Sequence, residues 1–269
     1  MHTLFPATLL ILAALTAPAV QAGASATTRI GNVTLAVLDL TPQDGSNPGF
    51  TRDSFDSRLL VYADTRNTGG DVDRHQVAPA PHAAGVAQLA PGPADVRATT
   101  SGAIGDVVAH SAASTGLGLD NIASAESEQR LWLTLAPHTL LTVAGNVFTE
   151  ASRTLAPGQG YRVFTWASVD ITDTDQVTTS YLSRESSLIW GEATTLARND
   201  EFFTLAYANP GDTDLAISLN FLAYNDITVT AVPEPATWAT LLAGLVLAGA
   251  AACRSRTTRC GKFLAQAAT

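Results

Sequence analysis

Between Gly23 and Ala231 the chain contains no cysteine and no lysine. Its two cysteines, Cys253 and Cys260, stand near the C-terminus, so this long body has no disulfide, no thiol nucleophile and no thiolate zinc site. A body of this length buries a core large enough to be stable without covalent staples. Charge is also scarce: 14% of the 269 residues are Asp, Glu, Lys or Arg, against about a quarter in an average globular protein. That argues against a nucleic-acid binder and against a charged disordered polymer. The motifs of common enzymes are missing too. The histidines His75, His82, His110 and His138 lack the i, i+4 or His-Glu-x-x-His spacing of a zinc hydrolase and read as surface or turn residues. No Gly-x-Ser-x-Gly elbow presents a serine nucleophile, and no glycine-rich phosphate loop is present. Only a dispersed carboxylate pair of the glycosidase kind would leave no trace in local spacing, because the fold brings it together.

What is there is unevenly distributed. From Gly23 to Ala231 there are 11 arginines and 23 acidic residues, whereas Arg254, Arg256, Arg259 and Lys262 crowd the end. An acidic body with a basic end points to a membrane-interacting terminus, because basic residues beside an apolar run stay on the cytoplasmic side. At the N-terminus, Leu9–Leu15 is apolar, Pro18 breaks the run, and Val20-Gln21-Ala22 places small residues at the two positions that a signal peptidase inspects. Residues 1–22 are thus expected to be a signal peptide cleaved after Ala22, with His2 in the place of the usual basic residue. Near the other end, Ala236–Cys253 carries no charge. As a helix it would rise roughly 27 Å, close to a hydrocarbon core of about 30 Å. Trp238 stands at its outer end, where an interfacial aromatic belongs.

Just before this run comes Val232-Pro233-Glu234-Pro235. Each proline fixes φ and lacks a donor, so neither helix nor ladder runs through the stretch and the backbone stays extended and accessible to a protease. In order, these three elements resemble the PEP-CTERM sorting signal. There a Pro-Glu-Pro motif, an apolar helix and an Arg-rich end are read by an exosortase, an integral-membrane cysteine transpeptidase-like enzyme. The resemblance covers about residues 232–259. It implies that Val232, Pro233, Glu234 and Pro235 form the recognition motif, that 236–253 is the membrane helix, and that Arg254, Arg256 and Arg259 are the cytoplasmic stop, with 260–269 as a cytoplasmic tail. The chain departs from the usual pattern in continuing past the basic cluster to Thr269.

The body, residues 23–231, alternates with period two. Val33, Leu35 and Val37 alternate with Thr34 and Ala36, Leu131, Leu133 and Leu135 with Trp132 and Thr134, and Val163, Thr165, Ala167 and Val169 face away from Arg162, Phe164 and Trp166. Such alternation marks half-buried strands. Further strands are expected at Arg58–Ala63, Thr139–Phe148, Ser187–Trp190, Phe202–Ala208 and Leu215–Tyr224, bounded by turns such as Pro137-His138, Pro157-Gly158 and Asn209-Pro210-Gly211-Asp212. Eight to ten short strands of this kind predict an all-β fold, a single jelly-roll-like β-sandwich. The stretch Val77–Leu119, rich in Ala, Gly, Pro and Ser, is expected to be a long loop with at most edge strands.

Candidate sites in the body are few. Asp170, Asp173 and Asp175 form the best acidic cluster, a calcium candidate that lacks the glycine and late glutamate of an EF-hand loop, and an Asx-capped turn is the ordinary alternative. Asp71 and Asp73 beside Asn67-Thr68-Gly69-Gly70 read the same way. Trp132, Trp166 and Trp190 either pack the strands or line a sugar-binding surface, since indole faces stack on apolar sugar faces. The expected function is that of a non-catalytic exported cell-surface or extracellular-matrix protein without a cofactor. Its partners would be signal peptidase, exosortase and the inner membrane, with no nucleic acid. The sorting resemblance implies an exopolysaccharide-producing Gram-negative host, with the body in the periplasm before it reaches the cell surface or matrix. The alternatives are a polysaccharide-binding or polysaccharide-active protein, and a membrane-anchored periplasmic protein that no sortase processes.

Overall fold

A computed structural model describes residues 23–231 apart from 44, 46, 115–116, 155–158 and 174–178. The signal-peptide, sorting-motif, membrane-helix and basic-cluster assignments therefore lie outside the described residues. By contacts the chain divides into Met1–Thr230 and Ala231–Thr269, and the strands below belong to the first unit, with Ala231 the last described residue. Among the described residues no helix is long and apolar enough to cross a membrane.

The described body is all-β, as the alternation predicts. Its strands are β1 (Gly23–Asp39), β2 (Phe50–Asp64), β3 (Val72–Val77), β4 (Gly85–Leu89), β5 (Ala94–Thr100), β6 (Val107–Ser114), β7 (Ile122–Leu135), β8 (Thr139–Arg153), β9 (Gln159–Asp173), β10 (Thr179–Leu188), β11 (Leu196–Asn209) and β12 (Leu215–Ala231). They form two six-stranded sheets, sheet A in the order β11-β8-β1-β6-β5-β4 and sheet B in the order β10-β9-β12-β7-β2-β3. Every pairing with a described register is antiparallel. In the second half the pairs nest: β7 with β12, β8 with β11, and β9 with β10, alternate pairs lying in opposite sheets. This is how a rolled-up antiparallel ribbon winds.

Two expectations are corrected. The strands are not short: β1 and β12 run 17 residues, and β2, β8 and β9 run 15. Buried polar residues such as Gln129, Thr149 and Asn225 break the apolar alternation without ending the strand, so counting apolar residues underestimates strand length. Nor is Val77–Leu119 a loop at the rim. It supplies β4, β5 and β6, and β6 pairs with β1 over Ile30–Gly23 in sheet A. Ala94, Val96, Ala98, Val107, Ala109 and Ala113 are all buried. Their smallness lets the sheets come close enough for hydrogen bonds between them. Ser127 Oγ donates to Thr99 O (2.9 Å), Thr28 Oγ1 to Tyr224 O (3.0 Å) and Asn225 Nδ2 to Ala26 O (3.3 Å). Gln129 on β7 reaches across to the β5–β6 connection, where Nε2 donates to Thr100 Oγ1 (2.7 Å) and Oε1 accepts from the Gly105 amide (2.6 Å).

The inward face of β1 changes parity along the strand. Ala24, Ala26, Thr28 and Ile30 face in, then the register shifts between Gly31 and Thr34, after which Val33 and Leu35 pack against the core. A β-bulge with Asn32 at φ 55° makes the shift, and asparagine tolerates that left-handed region better than most residues. The predicted alternation of Val33 and Leu35 therefore holds, but Val37 lies toward the strand's end and is 36% exposed. The alternations on β7 and β9 are as predicted: Leu131, Leu133 and Leu135, and Val163, Thr165, Ala167 and Val169, are buried.

Candidate functional site

Because side chains alternate across a strand, burying Leu131, Leu133 and Leu135 turns Arg130, Trp132 and Thr134 to the outer face of sheet B. The same rule puts Asp170 and Thr172 of β9, and Ser218 and Asn220 of β12, on that face. Here the register opposes Trp132 to Ser218 on one side and Ser54 on the other, and Arg130 to Asn220 and Asp56. Two shallow depressions result. One, of about 480 Å³, is lined by Arg130, Trp132, Asp170, Thr172, Ser218 and Asn220 among others. The second, of about 320 Å³, is lined by Asp56, Arg58, Glu128, Arg130 and Trp132 with Ser57. Arg130 and Trp132 belong to both.

Ion pairs order this surface. Arg58 Nη2 lies 2.6 Å from Glu126 Oε1 and 2.9 Å from Glu128 Oε2, and Arg130 Nη2 lies 3.0 Å from Glu128 Oε1. The Arg130 guanidinium carbon is 5.7 Å from the centroid of the Trp132 ring, within cation–π range. Asn220 stands between two carboxylates. In one orientation of its amide, Nδ2 donates to Asp170 Oδ2 at 3.4 Å. Turned over, Nδ2 donates to Gln129 O at 3.1 Å and Glu128 Oε1 at 3.3 Å. The second orientation makes two shorter bonds and is favoured. It points the amide oxygen at Asp170, a contact that is satisfied when Asp170 carries a proton. Burial pushes the Asp170 carboxyl above its ordinary value, opposed by the Asn220 hydrogen bond in the first orientation of that amide and by the Arg130 charge. Burial likewise raises Asp226 and Tyr224 farther along β12.

Of the candidate calcium cluster, Asp170 and Asp173 stand at the end of β9. Both line the first depression, Asp173 as the last residue of the strand. Asp173 Oδ2 accepts from the hydroxyl of Tyr207, a buried residue of sheet A, at 3.1 Å, while Asp170 meets Asn220 on the outer face. Asp175 lies outside the described residues. Among the described residues no group of three or more His, Asp or Glu side chains is placed to hold a metal ion. Asp71 and Asp73 follow a 3-10 turn, Arg66–Thr68, that Thr65 organises: its amide and hydroxyl both donate to Asp71 O, at 3.0 and 3.1 Å.

The histidines are scattered over the fold. His82 stacks on Phe55 with centroids 4.4 Å apart, His110 Nδ1 is 3.1 Å from Thr27 Oγ1, His138 Nε2 is 2.9 Å from Asp212 Oδ1, and His75 is exposed on β3. The tryptophans divide. Trp132 and Trp166 share the outer face of sheet B, on β7 and β9, with β12 between them. Trp166 Nε1 donates to Ser183 Oγ on the edge strand at 2.7 Å, and Trp190 is exposed beyond β10. Spacing had singled out Asp170 and Trp132 separately. It gave no sign that Asn220, Glu128 and Arg130 join them, because that depends on which strands are neighbours.

The body is an all-β protein of two packed antiparallel sheets with one polar-aromatic outer face. The chain also carries a PEP-CTERM protein-sorting motif, whose family model matches residues 231–256. The motif implies an exosortase-sorted exported protein, held in the membrane and then cleaved. No curated protein matches the chain. Two solved structures align over parts of it. One is the enzymatically active domain of tailspike protein 4 of bacteriophage CBA120, at 12% identity over 39% of this chain and 16% of that one, with a TM-score of 0.10. The other comes from work on the promiscuous specificity of carbohydrate-binding modules of the β-sandwich superfamily, at 9% identity over 77% and 98%, with a TM-score of 0.08. At those scores neither alignment bears on fold or function.

Proposed function

We propose that this chain is a non-catalytic exported protein of the cell surface or extracellular matrix, sorted by an exosortase and associated with exopolysaccharide. The observation that carries the reading is the sorting motif at residues 231–256, which begins in the sequence where the last strand of the body, β12, ends. Signal peptidase removes residues 1–22, the segment 236–253 holds the chain in the inner membrane with the body in the periplasm, and cleavage near Pro233-Glu234-Pro235 releases the body outward. Mass analysis of surface material tests this: the recovered protein should lack the segment from about Ala236 onward. Intact C-termini in every fraction would favour a membrane-anchored periplasmic protein that no sortase processes.

A second reading, a polysaccharide-active body, is favoured by one specific feature. Asp170 is raised by burial, Glu128 is ion-paired with two arginines, and the Asn220 amide lies between them, which is the asymmetry of a glycosidase acid and its partner carboxylate. The non-catalytic reading ranks first because the face is shallow and open and no catalytic motif is legible in the sequence. Incubating the protein with the host exopolysaccharide should leave polymer length unchanged. Shortening that Asp170→Asn or Glu128→Gln abolishes would decide for the enzyme.

A further inference from the structure

We propose that the two depressions sharing Arg130 and Trp132 are one glycan-binding site, which takes successive units of an uncharged, hydroxyl-rich polysaccharide laid across β9, β12, β7 and β2. The inference rests on the association with exopolysaccharide proposed above and adds its location, its direction and the charge class of the polymer. Trp132 is the apolar platform. Its cross-strand neighbours are two serines, Ser54 and Ser218, so no bulky side chain stands opposite the indole on either neighbouring strand, and Arg130 of the same strand lies over the ring, 5.7 Å from its centroid, as the charged edge of the platform. On both sides of the platform the walls are planar hydrogen-bonding groups: Asp170 and Asn220 toward β9, Asp56 and Glu128 toward β2. Donors and acceptors in close alternation match the hydroxyls of a sugar, each of which gives one hydrogen bond and accepts others.

Charge selects among polymers. The two guanidinium groups of the site are already engaged, Arg58 by Glu126 and Glu128, and Arg130 by Glu128. Asp56 and Asp170 face the same depressions. A polymer bearing carboxylates or sulfates would meet like charge with no arginine to spare, so the site discriminates against polyanions. The ion pairs also hold the wall side chains in place before ligand arrives, on hydrogen-bonded strands within the sheet, which lowers the ordering cost of binding. The depressions follow one another across the strands, so the polymer runs perpendicular to them, with neighbouring units over neighbouring strands about 4.8 Å apart.

The test is affinity gel electrophoresis of the full chain in mild detergent, with hydroxyethylcellulose, dextran, alginate or the host's own exopolysaccharide cast in the gel. A neutral polymer should retard the protein and alginate should not. Trp132→Ala should weaken retardation at least tenfold, Trp132→Phe should restore part of it, and Trp190→Ala should leave it unchanged. Ser218→Trp, which fills the first depression without removing any contact residue of the second, should also weaken it; thermal melts of each variant verify folding. Retardation unchanged in folded Trp132→Ala and Ser218→Trp would overturn the site while leaving the polysaccharide association standing. Preferential retardation by alginate would overturn the charge argument. No retardation of the wild type by any of the polymers, the host's included, would overturn the association itself and the site with it.

Discussion

Arg153, at the end of β8, is buried, and its described side-chain partners are all backbone carbonyls. Nε donates to Thr194 O at 3.1 Å, Nη1 to Tyr161 O at 2.7 Å and Ile189 O at 2.9 Å, and Nη2 to Glu192 O at 2.7 Å. Three of these carbonyls belong to the connection between β10 and β11 and the fourth to β9, so one guanidinium ties that connection to both sheets. A hydrogen bond to a charged group contributes about 1.5–3 kcal/mol, and a buried acceptor left unpaired costs about 1–3 kcal/mol. Water will reach some of the four carbonyls once the side chain is gone, so Arg153→Ala should destabilise the body by about 3–5 kcal/mol rather than by the full sum. For a body of this size each kcal/mol lowers Tm by roughly 2–4 °C, which puts the expected drop at about 6–20 °C. Arg153→Lys should recover less than half, because one ammonium cannot span acceptors that a planar fork reaches. Arg198, half exposed and paired with Asp200 at 2.8 Å, is the control: Arg198→Ala should change stability by less than about 1 kcal/mol. Thermal unfolding followed by far-UV circular dichroism measures all three. A drop below about 2 °C for Arg153→Ala, or one matched by Arg198→Ala, would refute the reasoning.

Two further predictions concern buried polar groups. The Ser57 hydroxyl is buried on the inner face of β2 and has no partner among the described residues, so Ser57→Ala should raise stability by about 1 kcal/mol, read as a higher urea midpoint; a lower one would mean that the hydroxyl is satisfied by bound water. Burial raises Asp170 and Asp226 above 3.8 in the folded state, so between that value and their folded values the folded protein holds more protons than the unfolded chain, and these groups favour folding more as pH falls. Asp64 does the reverse: its hydrogen bonds with Arg66 lower it, and its contribution, present above 3.8, is lost as pH falls through its folded value. Relative to Asp170→Asn, the wild type should therefore gain stability from pH 8 down to about pH 4, measured by urea unfolding at each pH; a difference independent of pH would exclude a raised Asp170.

The sorting motif and the fold class could be read from residue order alone, because a sorting signal is local: Val232-Pro233-Glu234-Pro235, the uncharged run 236–253 and the first arginines after it, Arg254 and Arg256, are recognised by sequence and spacing, and the family match at residues 231–256 falls on them. Alternation on β7 and β9 was legible for the same reason, since a period of two is written in neighbouring residues. Strand pairing is not local. That the Ala-rich stretch after Val77 forms three strands of sheet A follows from how closely the two sheets approach, which small side chains permit but do not announce. The parity of β1 was decided by a bulge at Asn32, which Gly31-Asn32 permits without fixing the register that results. Likewise Asp56, Glu128, Asp170 and Asn220, spread over more than 160 residues, meet on one face around Trp132. Only the order β9-β12-β7-β2 in sheet B brings them there, because cross-strand contact is set by hydrogen-bonded register and not by distance along the chain.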